Sequence, residues 1–373
     1  MSRIDEIISA LQAVSADPGK AVEKHREATG KGAVGIMPVY SPEEMVHAAG
    51  YLPVGMWGGR KTISRARAHL PPFTCSIMQS VMELELEGAY DMLDGVVFSV
   101  PCDTLKCMSQ KWKGKAPSVV FTQPQNRKIA AAVPFLAEEY TLLKKRLEAM
   151  LGVTISGAAL ENSINVYNEN RRIMREFCDL ACAYPQVINP VKRHAVIKAR
   201  FFMEKSRHSA LVRELIAEIN KQPAKPWNGR KVVLTGIMAE PDSLLEILEQ
   251  NGFAVAADDL AQESRQFRTD VPDGPDPLTR LARQWQDFDG CSLAVDPLKP
   301  RGRMLVDTAR KYGADAVIIC MMKFCDPEEW DYPIYLPQLE KAGIRNIIIE
   351  IDQEAASFEQ VKTRIQTLGE ILG

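Results

Sequence analysis

Three features of the 373-residue sequence predict an α/β protein: two doubly wound parallel-sheet lobes joined by a helical connector. Short apolar and β-branched runs alternate with amphipathic stretches from Val34 to Met150. The alternation restarts at Lys231 and continues to the last residues. Between these regions, Ser156–Cys182 and Pro190–Lys221 carry long helical periodicity with few breaks. Strands alternating with helices of this length form parallel sheets with right-handed crossovers. A chain this long exceeds one small core. The expected division is an N-terminal helical segment (1–33), a first lobe (34–150), a helical connector (151–228) and a second lobe (229–373).

Residues 2–29 read as helix, broken at Ala16–Gly19 by the turn-rich A-D-P-G. Gly30–Gly35 is a glycine-rich break, and Val34–Pro38 a first short strand. Ser41-Pro42-Glu43-Glu44 is a helix start, with Ser as the cap and Pro at the first position. Leu52–Met56 resumes as strand. Thr74 is placed to cap a helix from Cys75 to about Glu87, which puts Cys75 in the first turn, where the dipole favours a thiolate. Gly95–Val100 is a strand, and Cys102 follows its carboxyl end. Ser118–Thr122 is another strand, followed by a polar loop and a helix from Lys128 to Met150.

Pro223–Trp227 and Asn228-Gly229 have linker and turn chemistry. The second lobe then reads as strands at 231–236, 253–257, 292–295, 314–320 and 345–350. Its helices fall at 242–250, 278–287, 301–312, 333–341 and 354–371. Both lobes are expected to be Rossmann- or flavodoxin-like, with a cleft between their strand ends.

Composition narrows the function classes. The net charge of −2 gives no basic field for nucleic acid or an anionic membrane. The N-terminal residues place acids within their apolar pattern and lack a signal-peptide core. No run of about 18 apolar residues marks a membrane span. Eight scattered cysteines without a leader argue for a reducing compartment, the cytoplasm, over a disulfide framework. No dinucleotide fingerprint or Walker A sequence is present, so ATP is not expected to bind this chain.

A free cysteine is first of all a small, buried hydrophobe. Cys320 ends an apolar run and Cys291 opens one; Cys178 and Cys182 lie i, i+4 on the apolar side of a helix. All four read as packing residues. Cys75, Cys102 and Cys325 differ, because each sits at a loop or helix start beside Pro, Thr or Asp. Cys325 follows the strand ending at Cys320, in M-M-K-F-C-D-P, where open α/β sheets place their ligands. No C-x-x-C pair supports a zinc ribbon or ferredoxin-type cluster. Three isolated thiolates from two lobes suit one iron–sulfur cluster wedged between them, with one iron left without a cysteine. Cys107, five residues after Cys102, is within possible reach of the same site.

Other polar groups have two readings. Asp258, Asp259, Glu263 and Arg265 follow a strand end and either face the cleft or form a solvated cap. Lys192, Arg193, Lys198, Arg200, Lys205 and Arg207 either hold a coenzyme A phosphate, meet a protein partner, or form a solvated helical face; the solvated face is the plainer reading. His47, beside apolar neighbours, reads as a core or capping residue.

Several longer strings carry a family likeness. They are Y-S-P-E-E-M-V-H-A-A-G (Tyr40–Gly50), C-S-I-M-Q (Cys75–Gln79), C-D-T-L-K-C-M-S-Q (Cys102–Gln110), Y-N-E-N-R (Tyr167–Arg171), A-D-D-L-A-Q-E-S-R (Ala257–Arg265) and M-M-K-F-C-D-P-E-E (Met321–Glu329). In these the chain resembles the 2-hydroxyacyl-CoA dehydratase / benzoyl-CoA reductase family. Within it the chain is most like the smaller, β subunit of (R)-2-hydroxyglutaryl-CoA dehydratase. The resemblance maps the family's cluster-binding cysteines onto Cys75, Cys102 and Cys325, as ligands of a 4Fe–4S cluster. Cys107 stands where a non-ligand is expected.

What the resemblance implies is a radical dehydration. An ATP-hydrolysing iron–sulfur activator delivers one low-potential electron, the thioester carbonyl becomes a ketyl radical anion, and the α-hydroxyl leaves. The β-proton then becomes acidic, and the electron is returned. The working dehydratase is a heterodimer with a homologous larger subunit, which holds the 2-hydroxyacyl-CoA. The cluster of this smaller subunit relays or stores the electron, so no catalytic acid or base is assigned here. A flavin such as FMN is a further cofactor expectation. The likeness favours (R)-2-hydroxyglutaryl-CoA, converted to glutaconyl-CoA. The equivalent subunit of an aryl-CoA reductase, and a non-catalytic two-lobe ligand-binding protein, are the alternatives.

Overall fold

The computed structural model describes residues 2–223, 225–354 and 357–373. Ser2 opens the first helix with a reciprocal cap: its hydroxyl accepts from the Asp5 amide, and the Asp5 carboxylate accepts from the Ser2 amide. Helix α1 (Arg3–Ala16) passes to α2 (Pro18–Thr29) through Asp17, whose carboxylate caps at Lys20.

The first lobe runs β1 (Ala33–Ile36), α3 (Glu43–Ala48), β2 (Leu52–Gly55), α4 (Ser76–Leu86), β3 (Gly95–Ser99), α5 (Asp103–Lys111), β4 (Ser118–Phe121) and α6 (Ala132–Leu151). The connector is α7 (Gly157–Ala183), α8 (Pro190–Ala199) and α9 (Lys205–Ile219). The second lobe runs β5 (Arg230–Gly236), α10 (Asp242–Gln250), β6 (Phe253–Leu260), α11 (Pro277–Gln286), α12 (Arg301–Tyr312), β7 (Ala316–Met322), α13 (Asp326–Lys341), β8 (Arg345–Ile351) and α14 (Glu359–Leu372).

Each lobe holds a four-stranded, all-parallel sheet, ordered β2-β1-β3-β4 and β6-β5-β7-β8. In both, the winding reverses beside the lobe's first strand, so the switch points lie between β1 and β3 and between β5 and β7. The two doubly wound lobes therefore share one topology without a visible sequence repeat.

Burial follows the period of each element. Along β7, Ala316, Ile318, Cys320 and Met322 join an apolar core that runs through both lobes, while Val317 and Ile319 pack outward with Leu305, Tyr335 and Leu339. A separate core gathers Leu11, Phe177, Val196 and Leu215, so α1 packs on the connector. The lobes also touch through hydrogen bonds. Gln353 Nε2 donates to the Trp57 carbonyl at 3.0 Å, and the Val295 amide to the Gln125 carbonyl at 2.9 Å. Arg67 meets Glu354 at 2.5 Å.

The structure corrects several expectations. Ser41 does not cap α3: Pro42 holds the cap position and the Ser41 hydroxyl donates to the Met37 carbonyl. Residues 292–295 form no strand but a turn that buries Leu293 and Ala294 and leaves Val295 exposed, with one bridge from Val295 to Asn126. The helix expected at 333 begins at Asp326 and runs through Pro333 and Pro337. The one expected at 128 begins at Ala132. The 190–221 stretch divides at Arg200–Glu204 into two helices. The short α5 was not expected. Of the linker 223–227, Ala224 lies outside the described residues, as do positions 355 and 356 of the helix expected at 354–371.

Candidate functional site at three helix N-termini

Cys75, Cys102 and Cys325 are the N-cap residues of α4, α5 and α13. Cys75 is therefore not in the first turn, and Thr74 is not the cap; its carbonyl accepts from Gln79 Nε2. At each N-cap, amides of the first helical turn point toward the cap side chain. The amides of Ile77 and Met78 favour a thiolate at Cys75, those of Thr104 and Leu105 at Cys102, and that of Glu328 at Cys325.

The three thiols are half-buried, and that burial dominates their ionisation. Burial pushes the Cys75 thiol up to about 12, with the charge of Cys102 adding to it. Burial likewise raises Cys102, and the Asp103 and Asp326 carboxylates oppose its ionisation further. Cys325 is raised well above the ordinary range by burial, then by Glu328, Cys75 and Cys102. The thiols thus feel one another's charge across the two lobes. Among the described residues, no three His, Cys, Asp or Glu side chains are gathered to hold a metal ion as they stand. The three thiols influence one another's ionisation without the close spacing of a single-ion site.

The surroundings are strained and hollow. Phe324, between β7 and Cys325, has a left-handed backbone with φ of 59° and is partly exposed. A cavity of about 390 Å³ is lined by Arg67, Pro72, Ser76, Gln79, Lys323, Phe324 and Asp352. Its lining includes the chain neighbours of both Cys75 and Cys325.

Behind Cys325 lies a buried charge network that sequence reasoning missed in part. Glu328 accepts from Ser292 Oγ at 2.7 Å and pairs with Arg301 at 2.8 Å and Arg265 at 3.3 Å. Arg265 and Arg301 also pair with Asp259 at 2.9 and 3.0 Å. Burial alone would raise Glu328, but Arg301 and Arg265 outweigh it and hold the carboxyl below its ordinary range. The spacing C-x-x-E at a helix start was the available signal.

The remaining candidates resolve as structural. Asp258, Asp259, Glu263 and Arg265 are not solvated; Glu263 holds the cap position of a short 3-10 helix, Ser264–Gln266, whose first amide donates to the Asp258 carboxylate. The first two end β6 itself, and all four are buried in ion pairs. Arg193 bridges Asp258 and Glu263. The basic stretch is a solvated face only at Arg207, which is exposed; Arg193, Arg200 and Lys205 are buried, Lys192 pairs with Asp5 and Lys198 with Glu240. His47 is held between Ser163 at 2.9 Å and Glu204 at 3.1 Å. Cys182, Cys291 and Cys320 are buried in cores, and Cys178 packs against one. Cys107 is exposed on α5.

The model of the family described as 2-hydroxyglutaryl-CoA dehydratase, D-component, matches residues 38–372. The chain belongs to that family. Its members include dehydratase subunits, hydro-lyases by class. The chain is 60% identical to the lactoyl-CoA dehydratase subunit beta of Anaerotignum propionicum, covering all of both chains. It is 42% identical to the (R)-phenyllactyl-CoA dehydratase beta subunit of Clostridium sporogenes, again over the whole of both. Identity to the (R)-2-hydroxyglutaryl-CoA dehydratase subunit beta of Acidaminococcus fermentans is 37%, over 99% of this chain and all of that one. Each of these family members is named as a subunit. No helix among the described residues is long and apolar enough to cross a membrane.

Proposed function

We propose that this chain is the β subunit of a 2-hydroxyacyl-CoA dehydratase, and that its substrate is lactoyl-CoA or a comparably small 2-hydroxyacyl-CoA. The observation that carries the reading is the 60% identity, end to end, to a lactoyl-CoA dehydratase β subunit. That identity moves the substrate away from (R)-2-hydroxyglutaryl-CoA, whose enzyme's subunit is 37% identical. In this reading a homologous larger subunit binds the acyl-CoA and a separate ATP-hydrolysing iron–sulfur protein is the electron source, all in an oxygen-poor cytoplasm.

Cys75, Cys102 and Cys325 would hold a 4Fe–4S cluster, which supplies one-electron transfer at low potential when bound. The donor chemistry fits: three soft, half-buried thiols with helix amides directed at each. The chain's own task is to hold the thiolates apart at fixed N-caps. No residue here is given a proton to move.

The test is iron and acid-labile sulfide per chain on protein purified without oxygen, together with turnover in the presence of the larger subunit and the activator. About four of each per chain is expected, with lactoyl-CoA dehydrated faster than 2-hydroxyglutaryl-CoA. Iron-free, folded, anaerobically made protein would sink the cluster; preference for 2-hydroxyglutaryl-CoA would sink the substrate assignment. The same preparation, scanned for flavin absorbance, tests for FMN.

A further inference from the structure

The third residue of each cysteine-capped helix faces inward. In α4 it is Met78 and in α5 Leu105, both buried apolar side chains. In α13 it is Glu328, a carboxylate with no exposed surface. Packing gives no reason for a charge at this one of three equivalent places, and burying a carboxylate costs several kcal/mol unless it is well paired.

The pairing is extensive and comes from a distance. Ser292 precedes α12, Arg301 opens it, and Arg265 follows β6. Arg301 also donates to Thr235 Oγ1 at the end of β5, at 2.9 Å, and pairs with Asp331 at 2.7 Å. The Glu328 amide reaches back to the Cys325 carbonyl at 3.0 Å. The first turn of α13 is therefore tied to the carboxyl ends of β5 and β6 through Glu328. The backbone carrying Cys325 is tied with it.

We propose that Glu328 is a positioning residue for Cys325, fixing the first turn of α13 through Arg265, Arg301 and Ser292 and setting a negative charge behind this one of the three thiolates. The inference rests on the cluster reading above. It makes the three ligands inequivalent. Cys75 and Cys102 have a buried apolar side chain at the third position of their helices, while Cys325 has there a charge that opposes electron uptake by whatever it ligates.

The experiment uses the full chain, purified anaerobically, with iron and sulfide counted and the one-electron midpoint potential read by dithionite titration with mediators and electron paramagnetic resonance. Glu328→Gln is expected to retain iron and to shift the midpoint positive, with a changed resonance line shape. Ser292→Ala strips one donor from the carboxylate but keeps its charge, and is expected to shift the midpoint negative. Asp331→Asn removes a carboxylate from the same network a turn further from Cys325, and is expected to leave the midpoint at the parent value. A merely structural network would lower thermal stability in all three variants without moving the potential. An iron-replete parent, with Glu328→Gln and Ser292→Ala both at the parent potential and line shape, overturns the inference alone. Should Glu328→Gln fail to fold, Ser292→Ala carries the decision. An iron-free parent overturns the cluster reading and this inference together.

Discussion

Cys102 and Cys325 occupy the same place in the two lobes: each follows the third strand of its sheet, β3 or β7, and caps the helix that comes next. Cys75 joins them from the crossover helix of the first lobe. The three thiols come to the carboxyl edges of two sheets of one topology, where open α/β folds put their ligands.

Serine at 75, 102 or 325 should each abolish iron binding while leaving the far-ultraviolet dichroism of the parent. Cys107→Ser should keep its iron, because that thiol is exposed on the flank of α5. Cys320→Ser should also keep iron but lose about 1–3 kcal/mol of stability, since a hydroxyl replaces a thiol with no exposed surface in mid-sheet. Iron loss in Cys107→Ser, or iron retention in any of the first three, would redraw the ligand set.

Gly236→Ala should be among the most damaging single changes in the second lobe. The glycine has φ of 137°, and a Cβ there would lie 2.2 Å from the Cys320 carbonyl oxygen. Strain and overlap together should cost roughly 2–4 kcal/mol, read as a drop in the urea midpoint. A midpoint equal to the parent's would mean that β5 and β7 can part without cost.

Arg193→Ala should destabilise the protein by about 3–5 kcal/mol, because it leaves Asp258 and Glu263 buried without their shared cation. Arg172→Ala, which removes an exposed pair with Glu169, should cost less than about 1 kcal/mol. Equal thermal shifts in the two variants would refute the distinction between them.

Two buried histidines should set a stability maximum near neutrality. His194 loses hydration on burial, but hydrogen bonds and charge from Glu240 and Glu263 more than offset this and raise it to about 9. Its contribution is complete below the unfolded value of about 6.5 and is lost as pH rises through about 9. His208 is lowered to about 3 by burial, aided by Lys205 and Arg200. Its ring donates to the Val196 carbonyl and accepts from Asn170, so the neutral form is the one that fits. Its contribution is present above about 6.5 and is lost as pH falls toward 3. Thermal melts across pH should show His194→Gln flattening the alkaline side and His208→Gln the acidic side. A curve unchanged by either substitution would sink the assignment.

Periodicity exposed most strands and helices, because parallel strands buried on both faces are continuous apolar runs and the flanking helices are amphipathic. It failed where one signal fits two structures. Ser292–Val295 is short and largely apolar, and it suits a turn that buries Leu293 and Ala294 as readily as a strand. Helix α5 has only Leu105 and Met108 buried, too few to announce a helix. Pro333 looked like a helix start, yet α13 carries it inside, with Tyr335 and Leu339 supplying the buried contacts. The three cysteines stood out by their flanking residues, but their N-cap positions did not. The charges at 193, 200 and 205 looked solvated, because local sequence cannot show that acids distant in the chain, such as Asp258, Glu263 and Glu43, cover them.

The division of the thiols between lobes also has a meaning in time. A ribosome completes Cys75 and Cys102 long before Cys325, and the whole connector is made in between. The first lobe can fold with two thiols at its rim and wait, but a shared three-thiol site does not exist until the last quarter of the chain has emerged and β7 has joined its sheet. Anything held by all three thiols together would thus be received only after both lobes have folded and met.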